Sequence, residues 1–297
     1  MYTEYYGLLR APFEMTPDPS FLFLGEAHRE GLAMLEYGVR SGKGFTLLTG
    51  EVGTGKTTLL HALMTKLDSQ TKCALIFNPR LETGDFFRIL FDELGLERRD
   101  RTKADYLLEL NELLIDRLKE NQKTLLIVDE AQNLSAELLE EIRLLSNLET
   151  ARSKLIQIML VGQPELKGVL ARPDLRQLRQ RISLRHHLRP FDESETQEYV
   201  EGRLGKAGFT GRRLFKRSAI KELYAVTGGT PRLINSVCDS VLLLGYSRDK
   251  STIDGAMIRQ VAGDLELIDA PTHSQDQAGP GVEAAPRRRR RLLRFFQ

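Results

Sequence analysis

Phe45-Thr46-Leu47-Leu48-Thr49-Gly50-Glu51-Val52-Gly53-Thr54-Gly55-Lys56-Thr57-Thr58-Leu59-Leu60 passes from an apolar run, through a glycine-rich turn, into a second apolar stretch. The first part reads as a buried strand, and Leu59-Leu60-His61-Ala62-Leu63-Met64 carries the last part on as a helix. This strand-to-helix setting is what a phosphate-binding loop requires. Its glycines let successive backbone N–H groups converge on one anion, and the new helix adds the positive end of its dipole. Gly50, Glu51, Val52, Gly53, Thr54, Gly55, Lys56, Thr57 and Thr58 are therefore expected to cradle ATP. Lys56 reaches the β- and γ-phosphates in this reading, and the Thr57 hydroxyl ligates Mg²⁺. A merely Gly-rich turn accounts for the glycines but not for the strand and helix that flank them.

A second site element lies downstream. Thr124-Leu125-Leu126-Ile127-Val128-Asp129-Glu130 is an apolar strand ending in two carboxylates. Ligands of parallel sheets bind outside the carboxyl ends of the strands, so these acids are expected beside the glycine loop. Asp129 then holds Mg²⁺ through water and Glu130 polarises the attacking water. Acidic residues after a strand also cap helices, and it is the upstream loop that favours the catalytic reading. A further apolar run, Cys73-Ala74-Leu75-Ile76-Phe77, intervenes in sequence, which implies the additional-strand, catalytic-glutamate branch of P-loop ATPases. Asn78 at its end either restrains Glu130 or forms a turn.

The fold expected is α/β, a three-layer αβα sandwich with a parallel sheet, followed by a small all-helical lid. Helices are predicted near 83–95 and 102–120, where Phe86, Leu90, Leu94 and Leu107, Leu110, Leu114 make apolar stripes. The run Leu155 to Val161 reads as another buried strand, ending in Gly162-Gln163-Pro164. Gln163 there either contacts the γ-phosphate or the lytic water, or simply forms a strand-end turn. Leu175 to Ile182 is rich in arginine and precedes a short strand, Ser183 to Leu188. Arg181, ahead of Arg179, is the candidate for an arginine supplied to a neighbouring subunit, against the plain reading of a solvated surface. His186 and His187 alternate across that strand and are read as structural.

From Phe191 the pattern is helical, with helices expected at Thr196–Lys206, Phe215–Thr227, Leu233–Leu244 and Asp254–Leu265. Gly228-Gly229-Thr230-Pro231-Arg232 reads as a turn with Thr at the N-cap and Pro at the first helical position. It either aims Arg232 at the γ-phosphate or leaves it exposed. The N-terminal stretch holds aromatics and three prolines between Tyr5 and Pro19, which disfavours helix and suggests an extended arm. That arm, with His28 and Arg29, either packs on the core or walls an adenine pocket. The boundaries that follow are 1–26 for the arm, 27–190 for the ATPase domain, 191–268 for the lid and 269–297 for a disordered linker with a basic and aromatic end.

Composition sets the outer bounds. The chain has 297 residues and 41% apolar content, enough for a substantial core. Cys73 and Cys238 stand far apart among apolar neighbours, so neither a zinc spacing nor a disulfide framework is suggested, and a cytoplasmic setting fits. No signal peptide opens the chain and no apolar run reaches membrane-spanning length. The net charge of +2 conceals an asymmetry: residues 271–297 hold six arginines against Asp276 and Glu283, a balance of +4, which leaves the rest at −2. A mildly acidic body argues against a general nucleic-acid surface. The run Arg287 to Arg291 before Leu292-Leu293-Arg294-Phe295-Phe296 suits an anionic membrane surface, with nucleic-acid contact or no specific role as the alternatives.

Taken together, Tyr5-Tyr6-Gly7-Leu8 with Pro12-Phe13, Thr16-Pro17-Asp18-Pro19, the loop at Gly50–Thr57, Asp129-Glu130-Ala131-Gln132, Gly162-Gln163-Pro164-Glu165-Leu166 and Gly229-Thr230-Pro231-Arg232-Leu233-Ile234-Asn235 resemble the general secretion pathway protein A family of AAA+ ATPases. The resemblance covers about residues 1–268. It implies that Asp129-Glu130 is the Walker B pair, that Gln163 lies at sensor 1, Arg181 at the finger position and Arg232 at sensor 2. It also implies ATP hydrolysis in a homo-oligomer, a ring or a dimer formed with ATP. The expected place is the inner membrane, with a membrane protein of a secretion or export system as partner. The same ATPase core resembles transposition helper ATPases, which bind DNA as oligomers; this is the alternative function.

Overall fold

The computed structural model describes residues 1–16, 18–77, 82–96, 102–151 and 153–268. A short helix α1 (Tyr2–Tyr5) and a tight 3-10 turn at Pro19–Phe21 precede helix α2 (Glu26–Arg40). Strand β1 (Phe45–Gly50) leads through the glycine loop into α3 (Lys56–Lys66). Next come β2 (Thr71–Ile76), α4 (Thr83–Glu93), α5 (Lys103–Lys119) and β3 (Lys123–Val128). Then follow α6 (Ala136–Leu145), β4 (Gln157–Gly162), α7 (Glu165–Leu170), α8 (Arg176–Arg181) and β5 (Ile182–Leu188). The last helices are α9 (Glu193–Lys206), α10 (Arg217–Thr227), α11 (Pro231–Ser247) and α12 (Gly255–Asp264).

The five strands pair in parallel in the order β2-β3-β4-β1-β5. Alternation along each central strand divides its side chains between two cores. Leu47, Leu126, Val128, Ile158 and Leu160 face α4 to α8, whereas Leu48, Leu125, Ile127, Met159 and Val161 face α2 and α3. Helices cover both faces, so the central strands are buried and mostly apolar along their length rather than alternating buried and exposed. The expected three-layer αβα sandwich with a parallel sheet is thereby borne out. Strand order differs from the expectation in one respect. The strand that intervenes in sequence, β2, lies at the edge of the sheet; the strand that separates β1 from β3 in space is β4.

Smaller corrections concern edges. Phe77 lies outside β2 and is 52% exposed, and Leu155 and Ile156 are buried just before β4 rather than within it. Cys238 is buried, whereas Cys73 on edge strand β2 is only partly so. The predicted helices form with their boundaries shifted by a few residues. Their starts follow local chemistry. Thr102 and Asp105 exchange capping bonds at the head of α5, and Asp192 and Glu195 do so at the head of α9.

The arm follows the plainer of its two readings and packs on a core, that of the helical part. It is not extended throughout, and it packs on the last helices. Tyr6, Leu8, Phe13 and Phe21 are buried in one cluster with Tyr199, Val200, Ile220, Val237 and Val241. Arg203, itself buried, spans the joint: its Nη1 donates to Tyr199 Oη at 2.7 Å, its Nε donates to the Pro12 carbonyl, and its guanidinium lies over the Phe21 ring. Tyr2, Tyr5 and Tyr6 add hydroxyl bonds to Asp239, Asp249 and the Lys250 carbonyl. Asn78 and the basic run Arg287–Arg291 lie outside the described residues.

Candidate active site

The glycine loop closes between β1 and α3. Gly53 and Gly55 take φ values of +78° and +96°, a left-handed conformation open to glycine at little cost. Inside the turn, the Lys56 ammonium is buried and donates to the carbonyl oxygens of Gly50 at 2.8 Å and Glu51 at 3.0 Å. Burial pushes Lys56 below its ordinary pKa, and the nearby carboxylates of Glu130 and Asp129 oppose that shift. Thr57 and Thr58, on the first turn of α3, are exposed.

Asp129 and Glu130 follow β3 directly, at the same end of the sheet as the loop. Register fixes this: Val128 pairs with Leu160 and Thr49 with Gly162. Asp129 is 3% exposed, and its two oxygens are divided between neighbours. Oδ2 accepts from Thr57 Oγ1 at 3.2 Å, and Oδ1 accepts from the Glu130 N–H at 2.8 Å. Burial holds the Asp129 carboxyl above its ordinary pKa. Glu130 is partly buried, with φ at +53°, and its Oε2 accepts from two side-chain amides, Gln132 Nε2 at 2.5 Å and Gln163 Nε2 at 3.1 Å. Gln163 thus meets Glu130 in this structure, on the strand end between the loop and the acids. Gln132 was not singled out as a site residue; its position two residues past Glu130 was the available signal.

Two arginines frame this centre differently. The Arg232 backbone N–H donates to the Gly53 carbonyl at 3.2 Å, tying the first turn of α11 to the glycine loop, while its side chain is exposed. Arg181 sits at the other end of the sheet, because Ile182 pairs with Phe45 at the start of β1. The six residues of β1 put about 20 Å between that end and the loop. Its guanidinium donates to Ser146 Oγ and, at 2.7 Å, to Asn147 Oδ1, at the end of α6. Arg179 is exposed on α8.

His28, on α2, is buried against the loop. Its Nε2 lies 2.9 Å from the Thr54 carbonyl and its ring packs on Phe191 at 5.0 Å. A carbonyl can only accept, so Nε2 carries the proton, and Nδ1 is buried without a hydrogen-bond partner among the described residues. Arg29 instead turns away, to the Leu24 carbonyl at 2.6 Å. On β5, His186 Nε2 lies 2.9 Å from the Ala27 carbonyl and His187 Nδ1 3.1 Å from Thr49 Oγ1.

Residues 39–170 match the family model of an AAA domain. Over 268 residues the chain is 41% identical to general secretion pathway protein A of Aeromonas hydrophila, across 90% of this chain and 48% of that protein. The chain thus spans about half the length of that relative. Among solved structures, Cdc6p from Pyrobaculum aerophilum aligns with a TM-score of 0.65 at 17% identity, over 86% of this chain and 73% of that one. The Drosophila ORC, in a structure bound to DNA, aligns with a TM-score of 0.66 at 17% identity, over 90% and 66%. Likeness at such identities speaks of fold, and the fold is that of AAA P-loop NTPases.

Proposed function

This chain is a relative of general secretion pathway protein A built around an AAA domain, and on that footing we propose that it binds and hydrolyses ATP to drive assembly of a secretion or export machinery at the cytoplasmic face of the inner membrane. One observation carries the reading: Lys56, Thr57, Asp129 and Glu130 converge at the carboxyl ends of β1 and β3.

The residues present suit a nucleoside triphosphate with a divalent cation. Lys56 spends its ammonium on two loop carbonyls, which the phosphates would replace as stronger acceptors. Residues 50–58 would cradle the phosphates. Thr57 and Asp129, already paired at 3.2 Å, offer the hard oxygen donors that Mg²⁺ takes. Bound there, Mg²⁺ would neutralise charge developing on the phosphate oxygens. Glu130 takes a proton from water as the water oxygen bonds to the γ-phosphorus. The bond to the bridging oxygen breaks, and ADP leaves with that electron pair.

In the same proposal Arg232 carries the nucleotide state from the γ-phosphate to the lid, and Arg181, too far from its own loop, serves the site of a neighbouring copy in a ring or dimer. The chain divides at residues 26, 190 and 268 into arm, ATPase domain, lid and tail, and the Arg287–Arg291 run engages anionic lipid. Among the described residues no helix is long and apolar enough to cross a membrane. A second reading, an ATP-dependent DNA-binding transposition helper, is favoured by the exposed arginines Arg176, Arg179 and Arg185. Salt-dependent DNA binding by residues 1–268 that requires ATP decides for it.

Two variants test the main reading. Lys56→Ala should lose nucleotide binding, measured with a fluorescent ATP analogue, while keeping its melting temperature. Glu130→Gln should bind ATP with near-normal affinity and lose turnover by 100-fold or more, on the order of a general base removed. Turnover by Glu130→Gln equal to that of the parent sinks the base assignment.

A further inference from the structure

The Glu130 carboxylate is held by one oxygen only. Both amide donors, Gln132 Nε2 and Gln163 Nε2, converge on Oε2, and Oε1 accepts from no described residue. The two glutamines are themselves joined. Gln132 Oε1 accepts from the Gln163 backbone N–H at 3.0 Å, so the Gln132 amide is bonded at both ends and its flip is fixed by the backbone donor. The result is a closed ring of bonds from the end of β3 to the end of β4. Glycine at 162 makes room for it: a Cβ there would stand 2.5 Å from Gln132 Oε1.

We infer that Gln132 is a positioning residue for ATP hydrolysis, which with Gln163 anchors Oε2 of Glu130 to the end of β4 and so reserves Oε1 for the proton of the attacking water. The inference rests on Glu130 being the base. Its physical ground is orientation. An unanchored glutamate carboxylate on three rotatable bonds presents either oxygen in many directions, and misplacement by about 1 Å costs on the order of 100-fold in rate. The left-handed backbone at Glu130 adds to the case, since it turns the side chain back over the strand ends, where the two amides receive it. On this account Gln163 acts through Glu130 and not only through phosphate.

Gln132→Met keeps the side-chain length and apolar contacts and removes both hydrogen bonds. In the full chain it should lower kcat roughly 30- to 100-fold, with KM for ATP and the directly measured nucleotide affinity within about twofold of the parent. A residue that only fills space would leave kcat unchanged in this variant. Gly162→Ala, which displaces the Gln132 amide from outside the ring, should reproduce the loss, and the double variant should be no worse than either alone because both break one unit. A second readout needs no turnover. With glutamines ¹⁵N-labelled, the side-chain amide signals of Gln132 and Gln163, assigned by their own substitutions, should both shift in Glu130→Ala without nucleotide. Unmoved signals, or parental kcat in Gln132→Met, overturn the bracket. Parental kcat in Glu130→Gln overturns instead the base assignment beneath it.

Discussion

His28 shows how a single side chain can couple the glycine loop to solution conditions. Its imidazole is buried against Thr54 and Phe191, and burial pushes its pKa below the ordinary value near 6.5. A group with a depressed folded pKa binds its proton more readily in the unfolded chain, so acid favours unfolding. The neutral imidazole's contribution is fully present above about pH 6.5 and declines as pH falls from there toward the folded value. The melting temperature of the parent should therefore drop more between pH 7.5 and 5.5 than that of His28→Gln, which keeps an amide donor for the Thr54 carbonyl and has nothing to titrate. Parallel drops in the two proteins would show that the imidazole takes up its proton equally in the folded and unfolded chain. At this scale the sequence spoke clearly where chemistry and spacing coincide, as at Lys56, Thr57 and Asp129. Gln132 was legible only as a member of the Asp129-Glu130-Ala131-Gln132 motif, because its bonds to Glu130 and Gln163 depend on β4 lying alongside β3.

Among the elements, the arm bears the clearest mechanical role. Phe13 is fully buried and meets Phe215 edge-on, with ring centroids 6.2 Å apart. Phe13→Ala should cost about 3–5 kcal/mol, the usual range for a buried phenylalanine lost from a core. Denaturant unfolding measures the total, and amide exchange should show the loss of protection concentrated in α9 to α12, with the sheet little changed. The central strands were legible because burial on both faces leaves a continuous apolar run, as in Leu125 to Val128. Edge strand β2 was legible as a strand but not in its place, since sheet order depends on which crossover packs where. The arm's destination was hidden for a related reason. Pro12 and Arg203 meet across 191 residues of chain, and no periodicity within the arm encodes a partner that far away.

For the whole molecule, Arg181 sets the decisive expectation. It lies at the opposite end of the sheet from its own loop, held by Ser146 and Asn147. Arg181→Ala alone should lose turnover by roughly 1,000-fold, as when a trans-acting arginine is withheld. Mixing Arg181→Ala with Lys56→Ala should restore measurable turnover, because a mixed pair then holds one intact loop facing one intact arginine. A mixture as inactive as its components would argue that each copy works alone. The helical part has an uncommon construction, since its core is assembled from segments separated by the entire sheet. Tyr6 bonds to Lys250 across 244 residues. During synthesis the arm leaves the ribosome before the helices it packs on, so Tyr6, Phe13 and Phe21 wait, apolar and uncovered, while the sheet folds behind them. Ribosome-bound chains halted before α11 should accordingly present those aromatics to a chaperone, and chains halted well past α12 should not.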